Sequence, residues 1–557
     1  MIRPSFSGTL DAIPVIFLLT LISLLHPDRA LAQEAPFNVF SEHQHQFYTV
    51  DQLINSKLRL RHSAVKPMLA GKIPEVQGDT SVIVSRHNSL FVRKLLYENL
   101  IRYQGKGFSF QIDPLFDFGA GYELENSKTT WVNTRGLRIE GSIGNKIAFS
   151  SSLYENQALL PDYIDRFINT WTIMPVVPGV GIMPGQGIVR QHKNSDAWDY
   201  ANATGYISYS PSEILNFQFG HDRHFIGHGY RSLLLSDVSF PYPYFRMQVD
   251  FGPLQYTYWL MQHTDPGAQP LSFYHSFRKK YASMGYLNWQ VSDRIQVGIL
   301  QALVWPGDDS IGGINPPSWQ YMNPVVFMHP VHYGNGSEGN LFIGLNMQWE
   351  MSDRHFLYGQ LMFDEIKVND LLRQTGAATN KYGGQLGMKV FDAFNFDNLY
   401  LQAEWNVVRP YTYSHIRRLS NYAHYLQPLG HPSGANFSEV LLIADYHFNP
   451  AWYVAGKVVF NITGLDEDSL NYGSNIFRSY LDAPGGIDAT GIRVGWGKES
   501  SLFHAELALG YLINPKTNMK LEAKYIFREQ GPQSDRLLTN WFTVGFRTSL
   551  RNLYYDF

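Results

Sequence analysis

Hydrophobic and polar residues alternate with a period of two along most of this chain, starting near residue 104. In the stretch 136–157, Leu137 and Ile139 share one face of a predicted strand, while Arg138 and Glu140 share the other. A Gly-Asn pair then supplies the two-residue turn that joins antiparallel strands, and the alternation resumes after it. The pattern predicts β-hairpins with one apolar face and one polar face.

Eighteen runs of this kind follow one another, an even number. They span 106–118, 131–143, 146–157, 203–210, 214–222, 244–251, 254–263, 280–290, 295–304, 340–350, 355–366, 382–391, 397–407, 436–448, 452–461, 500–513, 518–529 and 540–556. Short turns such as 144–145 alternate with long connections such as 158–202 and 223–243. This alternation is typical of membrane-spanning barrels, whose closure leaves no unpaired strand edge. The chain is therefore predicted to be all-β, a transmembrane antiparallel β-barrel of about 18 strands over residues 104–557.

Composition narrows the classes of function. Aromatic residues make up 15% of the chain and charged residues only 17%, below the roughly 25% of ordinary soluble domains. This balance is typical of membrane barrels. The absence of cysteine excludes a thiolate nucleophile, a cysteine-bound zinc ion and a disulfide framework. A net charge of −3 gives no reason to expect a nucleic-acid partner.

The two ends of the chain carry sorting signals. Arg3, an apolar run over 13–25 and an Ala-Leu-Ala tripeptide predict an export signal peptide over residues 1–32. Residues 33–103 have apolar residues at mixed helical spacings, which predicts an N-terminal periplasmic segment with short helices. The last predicted strand carries apolar and aromatic residues at alternating positions up to Phe557. It resembles the strand signal that the barrel-assembly machinery reads.

One stretch, FGHDRHFIGHGYRS at 219–232, concentrates residues that could carry chemistry. Its histidines and Asp222 are ligand types for a divalent metal, but their spacing matches no standard ligand motif, so no metal site is predicted. A hydrolase would combine Asp222 and a histidine with Ser232 or Ser236, yet neither serine lies in a nucleophile motif. The stretch is predicted to form a glycine-rich external loop at the barrel mouth, and the chain is predicted to need no cofactor and not to be an enzyme.

The polar faces of the strands are predicted to line the lumen. Their charged members alternate in sign between neighbouring strands, which favours a braced lumen over an ion channel, where a ring of one sign is expected. Barrels of 16 to 18 strands are also wide enough to conduct, so an open pore is the alternative. The predicted lumen residues are Arg138, Glu140, Lys389, Glu404, Lys520, Glu522, Lys524 and Arg528.

The long connections are rich in aromatic rings beside hydrogen-bonding groups. Tyr411, Tyr413 and Tyr425 lie in one of them, the connection over 408–435. Sugars present C–H faces that stack on rings and hydroxyl groups that need polar partners, so such loops suit glycan binding. The alternative for any single ring is the aromatic girdle at a membrane interface.

Several motifs resemble one family of barrels. The run GHDRHFIGHGYRSLLLSDVSFPYPYFRM at 220–247 has the strand end, glycine-rich turn, Leu-Leu-Ser segment and Pro-x-Pro entry of Wzi-type capsule-assembly barrels. YGQLMFDEI at 358–366, EWNVVRPYTYSH at 404–415 and NYAHYLQPLGHPSGANFSE at 421–439 resemble RemB-like barrels associated with gliding motility. The resemblance covers most of residues 104–557.

This resemblance implies a Gram-negative outer-membrane barrel that binds or anchors a surface polysaccharide, in capsule assembly or in gliding. Basic side chains at the mouth would contact anionic groups of the polysaccharide, and tyrosines would stack on its rings. The predicted ligand-binding residues are Arg223, His224, Arg231, Tyr411, Tyr413 and Tyr425. The expected partners are the polysaccharide, outer-membrane lipid and, during biogenesis, the barrel-assembly machinery. A general porin or solute channel is the alternative function, and an outer-membrane hydrolase is the second alternative.

Overall fold

The computed structural model describes residues 38–39, 61–69, 89–193, 195–270, 277–307, 319–325, 339–467, 470–548, 550 and 553–557. The predicted signal peptide lies outside these residues, as does much of the segment over 33–103. Within the described residues, eighteen long strands form one closed antiparallel barrel in which each strand pairs with its neighbours in chain order. The last of these strands pairs with the first along Trp541–Arg547, which closes the barrel.

The strand bounds follow the sequence pattern. They are β1 Phe108–Glu123, β2 Lys128–Ile143, β3 Ile147–Leu159, β4 Trp198–Tyr209, β5 Leu215–Asp222, β6 Tyr242–Phe251, β7 Leu254–Asp265, β8 Arg278–Ser292, β9 Ile295–Pro306, β10 Asn340–Ser352, β11 His355–Glu365, β12 Lys381–Val390, β13 Leu399–Val408, β14 Phe437–His447, β15 Trp452–Leu465, β16 Lys498–Asn514, β17 Met519–Gly531 and β18 Leu537–Arg547. The predicted all-β barrel of 18 strands is confirmed. The predicted strand 540–556 is wrong at its end, because residues 553–557 leave the wall and lie inside the barrel.

The connections give the barrel a short-turn end and a long-loop end. Turns such as the one between β2 and β3 need only three residues, whereas the connection between β3 and β4 spans 160–197. The side chains sort by face along each strand. On β3, Leu153 faces outward and is 58% exposed, while its neighbour Ser152 faces inward and is buried. An apolar outer face and a polar or packed inner face explain the period of two in the sequence.

Among the described residues, three short α-helices accompany the strands: α1 Leu90–Leu96, α2 Asp162–Thr170 and α3 Val368–Leu372. Helix α1 lies in the segment that was predicted to hold short helices. Residues 61–69 of the same segment are a turn followed by extended backbone instead. No helix among the described residues is long and apolar enough to cross a membrane.

The connection between β5 and β6, the inner loop (residues 223–241), folds into the lumen. Its prediction as an external loop is wrong, and the physical reason is its run of leucines. Leu233–Leu235 are at most 1% exposed and pack on an apolar part of the inner wall that includes Tyr286 and Phe342. Apolar side chains at inward positions would be unfavourable in a water-filled pore. The part of the lumen beside Tyr286 and Phe342 is therefore filled by protein rather than by water.

Two further segments enter the lumen from the short-turn end. The entry segment (residues 61–69) pairs through Val65–Lys66 with Phe225–Ile226 of the inner loop. The Lys66 ammonium donates a hydrogen bond to the carbonyl of Gly227 at 3.1 Å. The lumen tail (residues 553–557) enters after β18 and reaches α2 near the long-loop end. The interior is therefore filled by parts of the chain that enter from both ends.

The outer wall over β7 to β9 differs from the rest of the barrel. The described side chains of β7 and β9 include no exposed large apolar residue. The segment 319–325, from the connection between β9 and β10, lies on this wall: the Tyr258 hydroxyl donates to the carbonyl of Met322 at 2.6 Å, and the Gln301 amide donates to that of Val325 at 3.2 Å. Protein groups therefore cover a part of the wall that strand alternation alone would expose.

Candidate functional site

Arg231 lies where the inner loop, the lumen tail and the wall meet. Its guanidinium donates to the Glu439 carboxylate at 3.2 and 3.3 Å and to the Asp556 carboxylate at 3.1 Å. All three side chains are at most 1% exposed. Buried charges of this kind are stable only when they are paired and hydrogen-bonded, so the three groups hold one another in place.

The charges in this cluster shift the pKa of each partner. Burial alone would lower the pKa of Arg231, but the carboxylates of Asp556 and Glu439 outweigh it and raise that pKa well above its usual value. Burial alone would raise the pKa of Asp556, but the positive charges of Arg231 and Lys457 hold it far below its usual value. The cluster is therefore ionised at any physiological pH.

A charge ladder extends from this cluster around the inner wall. Lys457 binds Asp556 at 2.8 Å and Glu506 at 3.2 Å, and Lys524 binds Glu506 at 3.1 Å. The ladder continues across β17, β18 and β1, and its members are Lys457, Glu506, Lys524, Glu522, Arg547 and Asp117. Opposite charges on neighbouring strands brace the wall from β15 to β1.

Glu404 on β13 fixes the backbone of the inner loop. Its carboxylate accepts hydrogen bonds from the backbone amides of Tyr230 at 2.9 Å and Arg231 at 3.1 Å. It also accepts one from the Tyr358 hydroxyl at 2.7 Å. A buried carboxylate that accepts these three hydrogen bonds holds the turn that carries Arg231 in one conformation.

The other predicted lumen residues lie at inward positions of their strands. The ammonium of Lys389 lies 5.5 Å from the centre of the Tyr358 ring, and the guanidinium of Arg528 lies 4.4 Å from that of Tyr163. The Glu140 carboxylate accepts from Gln111 at 2.7 Å. Arg138 is half-buried on β2, and Lys520, Glu522 and Lys524 follow one another along the inner face of β17.

Arg223 and His224 are buried in the inner loop. The Arg223 guanidinium donates to the carbonyls of Asp237 at 2.8 Å and Gly185 at 3.2 Å. The His224 ring lies edge-on to the Tyr244 ring, with 4.3 Å between centres. Both side chains contact protein groups at places where an exposed mouth was predicted, and a ligand-binding role for them stays a prediction.

The predicted tyrosines lie in the connection between β13 and β14, the cap loop (residues 409–436). Tyr411 and Tyr413 are fully buried, and their hydroxyls donate to the carbonyls of Asn471 at 2.7 Å and Leu233 at 2.8 Å. Tyr425 is half-buried beside Phe240. The structure brings Tyr413 and Tyr425 together with the inner loop, whereas the Arg231 guanidinium faces Glu439 and Asp556. Stacking on sugar by the three tyrosines stays a prediction.

The inner loop, the entry segment and the lumen tail fill the lumen together, and we name them the plug. Sequence reasoning missed several residues that hold the plug together. Glu439 and Lys457 occupy inward positions of two predicted strands, so the alternation that marked Glu404 could have marked them too. Asp556 could not be found in this way, because its strand assignment was itself wrong. His431 of the cap loop also binds Glu439, at 2.9 Å.

The two serines considered as nucleophiles donate hydrogen bonds to backbone carbonyls instead. The Ser232 hydroxyl donates to the carbonyl of Ile226 at 2.6 Å, and the Ser236 hydroxyl donates to that of Gly430. Across the described part of the chain, no group of three or more histidine, aspartate and glutamate side chains is arranged to hold a metal ion.

The long-loop end of the barrel carries an exposed polar surface that is formed by three connections. The cap loop packs with the connections over 366–380 and 470–497, and together we name them the outer cap. The amide of Gly491 donates to the carbonyl of Thr375 at 2.8 Å, and the amide of Tyr411 to that of Gly473 at 3.0 Å. Exposed basic residues of the outer cap are Lys367, Arg373, Arg417 and Arg493.

Comparison with known proteins rests on fold alone. No family model matches the sequence, and no curated protein sequence matches it. A solved structure of Wzi from Escherichia coli aligns with a TM-score of 0.53 at 13% identity, over 93% of this chain and 100% of Wzi. The chain is similar to Wzi in fold. Wzi is an outer-membrane protein involved in group 1 capsule assembly, and it is a carbohydrate-binding β-barrel.

Two porin-like structures align less well than Wzi does. OprD from Pseudomonas aeruginosa has a TM-score of 0.42 at 9% identity, over 79% of this chain and 96% of its own. OccAB2 from Acinetobacter baumannii has a TM-score of 0.42 at 10% identity, over 79% of this chain and 97% of its own. The fold argument therefore rests on Wzi.

Proposed function

We propose that this chain is a Gram-negative outer-membrane barrel that binds a surface polysaccharide at its long-loop end and is not an enzyme. The observation that carries this proposal is the filled lumen, in which Arg231, Glu439 and Asp556 lock separate segments together. A barrel packed with its own chain offers a long polymer its outer surface rather than its interior. The fold likeness to Wzi, a carbohydrate-binding barrel, supports the same function.

The outer wall supports placement in a membrane. Large apolar side chains stay exposed around much of the barrel, among them Leu137, Phe219, Leu386, Leu507 and Val544. An exposed apolar surface of this extent is unfavourable in water and favourable in lipid. The long-loop end would then face the cell exterior and the short-turn end the periplasm. Insertion by the barrel-assembly machinery, and a role in capsule assembly or gliding, belong to the same proposal.

We assign polysaccharide contact to the surface of the outer cap. Its exposed arginines, Arg373, Arg417 and Arg493, can pair with the carboxylate or phosphate groups of an anionic glycan. Tyr425 is the predicted ring that keeps partial exposure for stacking. On this view Arg223, His224, Arg231, Tyr411 and Tyr413 support that surface from below.

Binding of the polysaccharide purified from the same cells tests the proposal. The triple substitution Arg373→Gln, Arg417→Gln and Arg493→Gln should weaken co-sedimentation about tenfold, because an exposed ion pair contributes at most about 1 kcal/mol and three of them are lost. Arg354→Gln, an exposed arginine at the short-turn end, is the matched control. Unchanged binding by the triple variant would exclude the outer cap as the site.

Conductance separates the proposal from the porin alternative. The full chain in a planar bilayer should pass little current, because its own segments fill the lumen. Large steady currents, together with no retention of polysaccharide, would favour a general porin.

A further inference from the structure

The two halves of the lumen have different chemistry. The half against β6 to β11 is apolar and packed by the inner loop. The half against β15 to β18 and β1 to β3 carries the charge ladder and borders a cavity of about 190 Å³. Polar groups such as Thr134, Asn156 and Gln186 also line this cavity. Packing is therefore complete on one side of the barrel and incomplete on the other.

Two glycines keep this cavity wide. Gly545 of β18 pairs with Gly119 of β1 at the seam that closes the barrel, and both line the cavity. A Cβ atom added at either position would meet no atom closer than 3.7 Å. At Gly121 on the same strand, an added Cβ would lie 2.6 Å from the carbonyl oxygen of Phe542. Close packing thus accounts for Gly121, whereas a Cβ at Gly119 or Gly545 would meet its nearest atoms only at ordinary van der Waals distance.

The lumen tail is the boundary of the cavity on its other side. Leu553 and Tyr555 line the cavity, and the tail belongs to none of the described strands. Side chains and two main-chain oxygens fasten it. The Asp556 carboxylate binds Arg231 and Lys457, the Asp556 carbonyl accepts from Arg231 at 3.0 Å, and the Tyr554 hydroxyl donates to Asp237 at 2.6 Å. Its far end packs on α2 and receives a hydrogen bond from Arg528 at 2.7 Å.

We propose that the half of the lumen beside the charge ladder is a passage for inorganic ions and small zwitterionic solutes, and that the lumen tail is its stopper. Three features occur together on one side of the barrel: the cavity, the glycine pair Gly119 and Gly545 at the β18–β1 seam, and the lumen tail that bounds the cavity. The seven charged residues that line the cavity are the carboxylates Asp117, Asp445, Glu506 and Glu522 and the basic groups Lys457, Lys524 and Arg547. Because both signs alternate there, the passage should admit both cations and anions, with a slight preference for cations.

The first test removes the stopper. A chain shortened to omit residues 553–557 and the full chain are each reconstituted in a planar bilayer in potassium chloride. The shortened chain should give steady steps about tenfold larger than any current of the full chain, since barrels of this strand number can hold an aqueous channel. Its reversal potential in a salt gradient should be small and of the sign for cations. A shortened chain that folds and stays as closed as the full chain would overturn the proposal.

A second variant keeps the test decisive if the shortened chain fails to fold. The double substitution Asp556→Ala and Tyr554→Phe keeps the tail and removes its side-chain contacts to Arg231, Lys457 and Asp237. This variant should show frequent brief openings of the same step size. Heat-modifiable migration in electrophoresis reports whether the barrel has formed. A folded double variant without openings would count against the stopper.

A third substitution locates the passage. Gly545→Phe in the opened chain should reduce the step several-fold, because the ring enters the cavity. Gly384→Phe is the matched control: this glycine lies at an outward position of β12, where an added Cβ would lie 3.7 Å from Leu361, and its substitution should leave the step unchanged. Equal steps in both variants would place the current elsewhere and overturn the assignment. Polysaccharide binding by the outer cap is independent of these results.

Discussion

At the scale of single residues, the plug depends on buried charges rather than on exposed ion pairs. Arg231 has no contact with solvent and faces two carboxylates, so removing it leaves Glu439 and Asp556 without their main counter-charge. Uncompensated buried charges typically cost about 3–5 kcal/mol, whereas exposed pairs contribute at most about 1 kcal/mol. The burial of an ion pair therefore determines its effect on stability more than the distance between its nitrogen and oxygen atoms does.

The substitution Arg231→Ala should lower the thermal unfolding temperature clearly and make the inner loop accessible to protease. Calorimetry in detergent and limited proteolysis measure the two effects. The control is Arg536→Ala, which breaks an exposed pair with Glu529 and should change little. Similar behaviour of the two variants would show that the Arg231 cluster does not hold the plug.

His424 gives the outer cap a pH response. Its Nδ1 atom accepts from the amide of Thr264 at 2.9 Å, and its Nε2 atom lies 3.2 Å from the carbonyl of Pro241, so the ring is neutral. Burial lowers the pKa of His424 to about 3. As the pH falls, the His424 imidazole is protonated in the unfolded chain before it is protonated in the folded one. The neutral ring therefore contributes its full stabilisation above about pH 6.5. The free energy of unfolding then decreases by ~1.4 kcal/mol per pH unit as the pH falls towards 3.

We therefore expect the melting temperature to fall between pH 6.5 and pH 4 and to fall less steeply in His424→Asn, which has an amide that can donate and accept but does not titrate. Scanning calorimetry at several pH values measures both slopes. Parallel slopes would assign the acid sensitivity to other groups.

At the scale of elements, the inner loop and its wall are matched in shape. Gly344 on β10 leaves room for the side chain of Leu234, and an added Cβ at Gly344 would overlap that side chain. We expect Gly344→Val to displace the inner loop and increase its cleavage by protease. Gly384→Val, on an outward face, should be tolerated. Equal protease resistance would mean that the loop does not depend on this contact.

The elements that sequence predicts well are those governed by local alternation. The period of two located the eighteen long strands of the barrel, because each residue there needs only to face lipid or lumen. It could not place the inner loop, since the partners of Leu233–Leu235 lie on β8 to β13, far along the chain. Asp556 was misplaced for a related reason: Leu553, Tyr555 and Phe557 alternate as a strand does, but their contacts lie inside the barrel.

At the scale of the whole molecule, the orientation of the barrel is directly testable. The chain has no cysteine, so a single introduced cysteine is a unique label. A membrane-impermeant maleimide should label Arg417→Cys on intact cells and should label Arg354→Cys only after the outer membrane is permeabilised, because these residues are exposed at opposite ends. The reverse pattern would invert the proposed topology.

The entry of plug segments from both ends limits the order of folding. The entry segment and the lumen tail come in at the short-turn end, while the inner loop comes in at the long-loop end. A cylinder that closed first would have to admit each piece afterwards through a narrowed opening. The wall has to form around contents that are already gathered, so the seam between β18 and β1 should be the last part to join.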